Sequence, residues 1–593
     1  MVILGSFRNI SLSFLNKVIS KLNYSNRFYK IPFCSIYYLL ENEDEIYFDE
    51  KLRVGVIFNG ELYNFFGQKV ANTNISKKIY SMYIENQVFE KKLNGFFKII
   101  IIDWRIKNII LITDRLGFGS MYYSFCDGFF SVSTEFSFYY DFYHNNFVEK
   151  QINDKLILDY LVNKIDTSLF YGKTVINNVF CVRPSSKVFL TSKGMFEKKY
   201  FIPKLNDKIG SFNPADFKNK SLEFYEILKD TVKARIPQKG SYGIELSGGI
   251  DSTSILFVIL ELIKSGANDR LSILNVYHED EKGYIDVIDR KLKRYGFSLT
   301  KLSYREPDFE KVVRLLLISS KLYTSYNFLS SSIILKEGKE MGINVMFDGD
   351  GPDEMMGGYE NKYFNLYLMD YYKEFGLKAF LKEYKFYKEK LFNFNPTLKY
   401  SKNISDLLFR IDYMRRSQID RFAEKILSQP YKGYFNDDLV MKTLTSSFVF
   451  DTYYQIAVGS GMEFKYRRPY LDNKVIDFIF SLPVCYKIHN GVGKYILKSA
   501  IRSRIPLEII CREKFGGMVN YNFVKNFLLN NKNIIFELIK DGYVSKYIVL
   551  KPLIKNFRWL IDNKNPHIIL RVLNIELILE ALNKKSFYKK WVE

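Results

Sequence analysis

The hydrophobic pattern of this chain changes near residue 220, and the change predicts two different folds in one protein. Before it, short β-branched and aromatic runs are bounded by Asn, Asp and Gly, the pattern of packed antiparallel sheets. After it, amphipathic helical segments alternate with short apolar strands, which predicts a parallel sheet with helices on both faces. We therefore expect an α+β domain of layered antiparallel sheets, followed by an α/β domain whose C-terminal part is mostly helical.

The boundary between the two predicted domains falls in a polar stretch, PKLNDKIGSFNPADFKNK, from Pro203 to Lys220. We predict a first domain over residues 1–202, a linker over 203–220 and a second domain over 221–593. A chain of 593 residues is long enough to bury at least two hydrophobic cores.

The amino-acid composition limits the binding partners and the cellular compartment that we expect for this chain. Lys and Arg (87) exceed Asp and Glu (65), but the lysines are dispersed, which favours a solvated surface over nucleic-acid or membrane binding. The five cysteines lie far apart, so neither a disulfide framework nor a zinc site is expected. The sequence shows neither a long apolar span nor a secretory signal pattern. We expect a cytoplasmic protein without nucleic-acid or membrane partners, with a homodimer among the candidate oligomeric states.

The strongest chemical signal is LSGGIDSTS, residues Leu246–Ser254, between a predicted strand and a predicted helix. Gly248 and Gly249 let backbone N–H groups approach an anion, because no Cβ stands in the way. Ser247 and Ser252 add hydroxyl donors, and the following helix presents its positive N-terminus. The segment therefore predicts a phosphate-binding loop.

Asp251 lies inside this loop and would repel a phosphate unless a cation lay between them, so its presence indicates a divalent metal. The alternative is a Gly-rich turn capped by Ser252, the commoner fate of a lone Gly-Gly pair. The strand-loop-helix context favours the phosphate site. The loop is not a Walker loop, because GxxxxGK[ST] is absent.

SGGIDS resembles the pyrophosphate-binding loop of N-type ATP pyrophosphatases, and the chain is similar to the asparagine synthetase family. DGDGPDEMMGGY resembles the family's SGEGxDExFGGY, FKYRRPYLD resembles LEVRVPFLD, and GVGKYILKSAI resembles GKxxLRxA. REKFGG resembles the Arg-x-Lys stretch that follows. These four stretches begin at Asp348, Phe464, Gly491 and Arg512.

The first half also carries a resemblance. NGELYN, DRLGFGSMYY and FSVSTEF, which begin at Asn59, Asp114 and Phe130, are similar to the family's glutaminase-type domain. The resemblance implies an Ntn-hydrolase-like first domain of glutamine amidotransferase type 2 and an ATP-pyrophosphatase second domain. Without the family, NGELYN also fits a simple turn that leaves a strand.

The resemblance implies ATP and Mg²⁺ as cofactors. Asp251 and Asp353 would hold Mg²⁺ on the leaving pyrophosphate, and Lys494 would stabilise negative charge on the reacting phosphate. Asp350 stands where asparagine synthetase has Glu, whereas relatives that make β-lactams or cyclise peptides carry Tyr or His there. The ATP-binding residues implied are Leu246, Ser247, Gly248, Gly249, Asp251, Ser252, Asp348 and Gly349.

Two alternative interpretations give the acidic segment and Lys494 roles that do not involve ATP. Asp348, Asp350 and Asp353 could form a calcium loop, but Pro352 stands where an EF-hand needs an oxygen ligand and no Glu closes the loop. Lys494 could be an ordinary exposed lysine at a helix start, which the matching motif disfavours.

The first domain departs from the family pattern. Val2 stands where the glutaminase has its nucleophilic cysteine, and Asn94 stands where an Asp is expected. The Arg-Gly-Pro segment expected to clamp glutamine is not evident, although Asn59 and Gly60 of the oxyanion hole remain. We expect glutamine hydrolysis to be lost, so that ammonia or the amine of a second substrate is used.

These observations together predict an ATP-dependent, AMP-forming ligase that activates a small-molecule or peptide carboxylate and amidates it. The acidic residue at position 350 favours aspartate as that carboxylate. The alternative is a lasso-peptide or β-lactam cyclase-like ligase that closes an intramolecular amide. A tRNA-modifying enzyme is disfavoured because no thiolation cysteine pair appears, and a catalytically dead scaffold because the metal carboxylates and Lys494 are present.

Overall fold

The computed structural model describes most of the chain, and every structural statement below concerns its described residues. The end of the REKFGG stretch (513–517) and Phe464, both part of predicted motifs, lie outside them. The described residues are 1–7, 19–20, 28–31, 34–39, 44–65, 74–163, 172–206, 208–263, 270–277, 282–303, 309–319, 322, 328–387, 465–512, 518–562 and 566–592.

Two antiparallel sheets form the N-terminal domain, as the strand pattern predicts. In the described residues the first sheet has the order β10-β8-β9-β1-β3-β2 and the second the order β12-β11-β7-β6-β5-β4. The strands are β1 Val2–Ser6, β2 Tyr29–Lys30, β3 Ile36–Leu39, β4 Asp44–Asp49, β5 Val54–Phe65, β6 Leu93–Asp103, β7 Asn108–Thr113, β8 Tyr122–Cys126, β9 Phe129–Ser133, β10 Val179–Cys181, β11 Ser186–Thr191 and β12 Gly194–Lys199.

The core of this domain lies between the two sheets. Ile3 of β1 and Phe130 of β9 face Ile57 of β5 and Ile100 of β6, so alternate residues of each strand enter the inter-sheet layer. The opposite face of the second sheet packs against helix Ile75–Ile84. The opposite face of the first sheet packs against helices of both domains.

A parallel sheet forms the second domain, again as predicted. Its order in the described residues is β15-β14-β13-β16-β17, with every neighbouring pair parallel. The strands are β13 Ser241–Glu245, β14 Leu271–Tyr277, β15 Leu299–Ser303, β16 Ile343–Phe347 and β17 Lys465–Arg467. Because β13 lies beside β16, the loops that follow these two strands meet at one edge of the sheet.

Helices surround this sheet and dominate the C-terminal part. They are Pro214–Arg235, Ile250–Ile263, Lys282–Lys293, Phe309–Ser319, Phe328–Glu340, Pro352–Met355, Glu360–Tyr384, Asn473–Ser481, Val484–Lys487, Tyr495–Ala500, Leu507–Ile510, Met518–Asn530, Lys532–Lys540, Leu550–Lys555, Phe557–Asp562, His567–Asn583 and Lys585–Val592. The N-terminal domain adds helices Ile75–Ile84, Phe138–His144 and Asp154–Asn163. In the described residues none of the helices combines the length and apolar character needed to cross a bilayer.

The predicted linker over 203–220 is partly helical. Asn213 caps helix Pro214–Arg235 by accepting hydrogen bonds from the backbone N–H groups of Ala215 and Asp216, at 3.0 and 3.1 Å. Pro214 occupies the first helical position, where its missing N–H has no cost. A helix therefore begins inside the predicted linker, because Asn-Pro is here a helix start.

The C-terminal helices also contact the N-terminal domain. Helix His567–Asn583 packs against helices Phe138–His144 and Asp154–Asn163. Arg571 donates to the carbonyl oxygen of Tyr160 at 3.0 Å, and His144 Nε2 lies 2.8 Å from the carbonyl oxygen of Ala581. The two predicted domains therefore share one hydrophobic cluster.

Candidate active site

The loop after β13 forms the first wall of the candidate site. The backbone N–H of Leu246 bonds to the carbonyl oxygen of Leu274 at 2.8 Å, which fixes the loop to β14. Ser252, at the start of helix Ile250–Ile263, accepts a hydrogen bond from the backbone N–H of Ser247 at 3.2 Å. Gly248 has a φ of 70°, a conformation that favours glycine. Ser247 itself is exposed.

The loop after β16 forms the second wall, and it touches the first. A Cβ atom on Gly349 would lie 2.4 Å from the backbone nitrogen of Ser252, so a side chain at Gly349 would push the two loops apart. Asp348 is nearly buried, and its Oδ1 accepts a hydrogen bond from the backbone N–H of Asp350 at 3.1 Å. The structure therefore brings the two predicted nucleotide-binding segments into direct contact.

Lys494 joins the two loops. Its Nζ lies 2.5 Å from Asp251 Oδ2 and 2.7 Å from Asp353 Oδ1, and the residue is 6% exposed. Burial by itself would lower the pKa of Lys494, but the two carboxylates outweigh burial and raise the pKa above its ordinary value. The ammonium group therefore stays charged. Lys494 is not the exposed helix-start lysine of the alternative reading.

The backbone around Lys494 holds it in this place. Lys494 has a φ of 53° at the start of helix Tyr495–Ala500, and its N–H bonds to the carbonyl oxygen of Met356 at 3.0 Å. Gly358 makes room for the ion pair, because a Cβ there would lie 2.0 Å from Asp353 Oδ1 and 2.2 Å from Lys494 Cε. The close approach of the three charged side chains thus depends on a glycine.

A fully buried arginine contacts two further acidic residues of the second loop. Arg468 Nε lies 2.8 Å from Asp348 Oδ2 and 3.5 Å from Asp350 Oδ2. Burial raises the pKa of Asp348 to about 6, although Arg468 opposes this effect. Burial and the neighbouring charge of Asp348 raise the pKa of Asp350 well above its ordinary value. Arg468 was missed from the sequence, although it stands where the family motif LEVRVPFLD has Val.

A second arginine lies over the first loop. A Cβ on Gly248 would approach Arg512 Nη1 to 3.1 Å, and the Arg512 guanidinium lies 4.5 Å from the centre of the Tyr284 ring. A cation at this position suits an anionic ligand on the loop. The sequence offered Arg512 only as the start of a motif, without a role.

The carboxylates fit a magnesium ion. Asp251 and Asp353 converge on one point, and Mg²⁺ in proteins is bound by one or two carboxylates together with substrate phosphates. Within the described residues, no cluster of three or more His, Cys, Asp or Glu side chains could hold a metal by itself. The donor set therefore suits a metal that arrives with a polyphosphate.

The structure does not bring together all the residues of the N-terminal domain that were compared with a glutaminase site. Asn59 and Gly60 line a cavity between the domains, whereas Val2 packs with Phe129 and Tyr139 in a different hydrophobic cluster. Val2 is absent from the described residues that line the cavity.

Asn94 faces the second domain. Its Nδ2 donates to Asp472 Oδ2 at 3.0 Å, and its Oδ1 accepts from the backbone N–H of Asn473 at 3.2 Å. Asp472 also accepts from the fully buried Arg235, at 2.7 Å. The residue that replaces the expected Asp is therefore part of the contact between the domains, which the sequence alone did not indicate.

An antiparallel sandwich is followed by a parallel-sheet domain in which two acidic loops meet around one buried lysine, and this combination defines a two-domain α/β protein with a charged site at the sheet edge. The family model for asparagine synthase matches residues 223–538, and that for the glutamine amidotransferase domain matches residues 44–201. The chain belongs to the asparagine synthase family.

Two similar proteins have curated names. The putative glutamine-hydrolyzing asparagine synthetase 2 of Methanocaldococcus jannaschii is 24% identical over 358 residues, which are 57% of this chain. The chain spans about 65% of the length of that relative. Glutamine-hydrolyzing asparagine synthetase 1 of Bacillus subtilis is 23% identical over 568 residues, 86% of this chain and 82% of the relative.

A solved structure also matches part of the chain. Glutamine phosphoribosylpyrophosphate amidotransferase from B. subtilis, complexed with ADP and GMP, is 12% identical and covers 55% of this chain and 79% of its own. Its TM-score is 0.19, which is too low to support an argument about fold or function.

Proposed function

We propose that the protein is an ATP-dependent, amide-forming ligase of asparagine synthetase type. A carboxylate substrate attacks the α-phosphate of ATP, pyrophosphate leaves, and ammonia or an amine then captures the acyl adenylate. The observation that carries this proposal is the Lys494 ammonium between the carboxylates of Asp251 and Asp353, at the junction of two glycine-containing loops.

The loop residues supply binding and positioning. The backbone N–H groups near Gly248 and Gly249, the hydroxyl of Ser247 and the N-terminus of helix Ile250–Ile263 suit the phosphates of ATP. Arg512 adds a cation beside that loop. These groups would hold the polyphosphate of ATP at the first loop.

Asp251 and Asp353 would hold Mg²⁺, which when bound neutralises charge on the leaving pyrophosphate. Lys494 has a flexible stem and a permanent charge, so its ammonium follows the negative charge that develops at the α-phosphate. It does not need to transfer a proton for this role. The same charge stabilises the reacting centre when the amine attacks.

Asp350 and Arg468 face the part of the site where we place the acyl substrate. Asp350 keeps a carboxylate where the family motif has Glu, and we propose an amino-bearing acid, aspartate, as the substrate. Arg468 lies beneath both Asp348 and Asp350 and fixes their positions. The cyclase-like alternative shares the activation step and differs in the acyl substrate.

We further propose that the N-terminal domain does not hydrolyse glutamine. Val2 has no nucleophilic atom, and the side chain of Asn94 is engaged by Asp472 and Asn473. Ammonia should therefore support amide formation that glutamine does not support. Release of glutamate from glutamine at the rate of amide formation would contradict this part of the proposal.

Pyrophosphate exchange tests the activation step. With aspartate present, the purified protein should incorporate labelled pyrophosphate into ATP, and Asp251→Ala or Asp353→Ala should abolish the exchange. Asp286→Ala is the matched control, because Asp286 lies in the same domain and forms a half-exposed ion pair with Lys301. Release of ADP and orthophosphate, or exchange that survives both variants, would sink the proposal.

The choice of acyl substrate is tested in the same assay. Exchange that depends on aspartate supports an asparagine synthetase-like reaction. Exchange that depends on a peptide or an N-acylated amino acid, and not on aspartate, would replace it with the cyclase-like reaction.

A further inference from the structure

Arg468 is the first residue after β17, and groups from both domains surround its buried side chain. Its Nε lies 2.8 Å from Asp348 Oδ2 and 3.5 Å from Asp350 Oδ2. The guanidinium carbon lies 5.1 Å from the centre of the Phe118 ring, in the N-terminal domain, and 4.9 Å from the centre of the Tyr466 ring. A guanidinium in such a place needs carboxylates close to it, because a charge is costly to remove from water.

Strand pairing places Asp348 beside Arg468. β16 and β17 are parallel neighbours in which Phe347 and Arg467 are register partners. The backbone N–H of Asp348 bonds to the carbonyl oxygen of Arg467 at 3.4 Å. Asp348 and Arg468 are the next residues along the two chains. The side chains at these two positions are therefore neighbours, and the residue at one position restricts what the other can be.

The two positions depart together from the family motifs quoted above. SGEGxDExFGGY has Ser where this chain has Asp348, and LEVRVPFLD has Val where it has Arg468. An ion pair thus replaces two neutral residues. Removing one partner of a buried ion pair is strongly destabilising, whereas replacing both partners with neutral residues is often tolerated. We therefore expect the two residues to act as one unit.

The pair also contacts a third departure, Asp350, where SGEGxDExFGGY has Glu. Asp348 Oδ1 accepts a hydrogen bond from the backbone N–H of Asp350 at 3.1 Å, which fixes the backbone there. Arg468 lies near the Asp350 carboxylate and offsets the repulsion between the two acidic side chains. Asp carries its carboxylate one methylene nearer to the backbone than Glu does, so its reach depends closely on where that backbone lies.

We propose that Asp348 and Arg468 are a positioning pair that sets the place of Asp350 for the acyl substrate. Neither residue needs to touch the substrate, because the pair holds Asp350 by its backbone and by its carboxylate. Ser and Val suit the longer Glu of the motif, whereas Asp and Arg suit the shorter Asp. This inference rests on the proposed function, because it places the acyl substrate against Asp350.

A double-mutant cycle in the full chain tests whether the two residues act as one unit. Asp348→Ser and Arg468→Val should each lower the midpoint of urea unfolding, and the double variant should regain most of that loss. A double variant that folds where a single variant does not would support the pair equally. Simple addition of the two single losses would overturn the proposal.

The matched control is a second ion pair of the same domain, Asp286 with Lys301, which is partly exposed. Asp286→Ser and Lys301→Val should each have a small effect on the midpoint, because exposed ion pairs contribute little to stability. The double variant should show close to the sum of the two.

Pyrophosphate exchange with aspartate tests the positioning role, which stability alone does not report. In the Asp348→Ser, Arg468→Val double variant, the KM for aspartate should rise about 10 to 100 fold, because Asp350 loses a charged contact. The KM for ATP should stay within about threefold of wild type. Adding Asp350→Glu to the double variant should restore the KM for aspartate to within about threefold of wild type. Asp350→Glu alone should raise that KM, because the pair suits the shorter side chain.

The outcomes separate this inference from the proposed function. An unchanged KM for aspartate in the double variant, or an equal rise in the KM for ATP, would show that the pair does not position Asp350. Failure of Asp350→Glu to restore the KM in the triple variant would also overturn the inference. A wild-type protein without aspartate-dependent exchange would instead refute the proposed function, and this inference with it.

Discussion

The two halves of the chain surround their buried cations differently. In the parallel-sheet domain, Lys494 lies between two carboxylates and Arg468 lies against two more. In the antiparallel domain, Lys98 lines a cavity whose described lining also includes the aromatic residues Tyr63, Phe96, Phe118 and Tyr466. The loop junction thus joins opposite charges from the ends of neighbouring strands, whereas the cavity brings a buried lysine together with aromatic side chains of both domains.

The contact between the halves shows a second difference. Asn94 stands where a glutaminase would carry an acidic residue, and here its amide joins the ion pair of Arg235 and Asp472. Position 94 thus attaches the first domain to the second. Four predictions test this comparison, and those with the largest expected effects come first.

The first prediction concerns the ion pair between Arg235 and Asp472. Arg235→Met removes the cation and leaves the Asp472 carboxylate buried, which typically costs about 3–5 kcal/mol of unfolding free energy. Urea unfolding followed by circular dichroism measures the change. Lys233→Met, an exposed lysine on the same helix, should stay within about 0.5 kcal/mol of wild type. A similar small change for Arg235→Met would mean that this contact does not stabilise the fold.

The second prediction concerns Lys494. Lys494→Met keeps the stem but removes the charge between Asp251 and Asp353, so it should lower kcat for adenylate formation by about 10² to 10³ fold. Lys494→Arg should not restore the rate fully, because a planar guanidinium cannot occupy the same point. Pyrophosphate exchange provides the readout, and Lys498→Met on the same helix is the control. A rate within about threefold of wild type would exclude the assigned role.

The third prediction asks whether the family residue can be restored at position 94. Asn94→Asp replaces the donor to Asp472 with a second carboxylate, so it should destabilise the protein by about 1–3 kcal/mol at neutral pH.

The loss of unfolding free energy in Asn94→Asp should become smaller as the pH falls. Two close carboxylates raise the pKa of one of them, and the protonated acid can again donate to its neighbour. Because the folded pKa of that group lies above its unfolded value, stability returns as the pH falls below the folded pKa. Asn94→Ala should lose stability without this pH dependence. Equal stability of Asn94→Asp and wild type at neutral pH would contradict the prediction.

The fourth prediction concerns Glu576, on the helix that joins the C-terminal part to the N-terminal domain. Its carboxylate accepts hydrogen bonds from the backbone N–H groups of Tyr543 and Val544, at 3.0 and 2.7 Å. Burial raises the pKa of Glu576 from 4.5 to about 7, despite these bonds.

A raised folded pKa means that the folded protein holds this proton more tightly than the unfolded chain does. The stabilisation is complete below pH 4.5 and is lost as the pH rises through about 7. Over that pH interval, the unfolding free energy of Glu576→Gln should fall by about 1–3 kcal/mol less than that of the wild type. Unfolding free energies across the pH range measure the difference, with Glu537→Gln, an exposed residue, as the control. Identical pH profiles for Glu576→Gln and wild type would show that this carboxyl does not titrate with folding.

The sequence by itself determined the order of the two domains and most of the nucleotide-site residues. Period-two apolar runs specify strands with one buried face, and the alternation after residue 220 specifies a parallel sheet, because each pattern has only one economical way to bury its apolar face. The loop residues of Leu246–Ser254, Asp353 and Lys494 were each found in a short motif. The Asn-Pro pair also indicates the start of helix Pro214–Arg235 in the sequence. It is hard to recognise there because the residues around it are polar, as in a linker.

Only the tertiary structure decided which of these residues meet. Lys494 reaches Asp251 and Asp353 because β13 and β16 are neighbours and bring their following loops to one edge of the sheet, which no local pattern encodes. Arg468 became a site residue by the same pairing, through β17 beside β16. Lys98 looks like a break in an apolar run until the register with Asn59 shows which face it occupies. The partners of a buried charge depend on strand order and register, and those are set by packing over the whole chain.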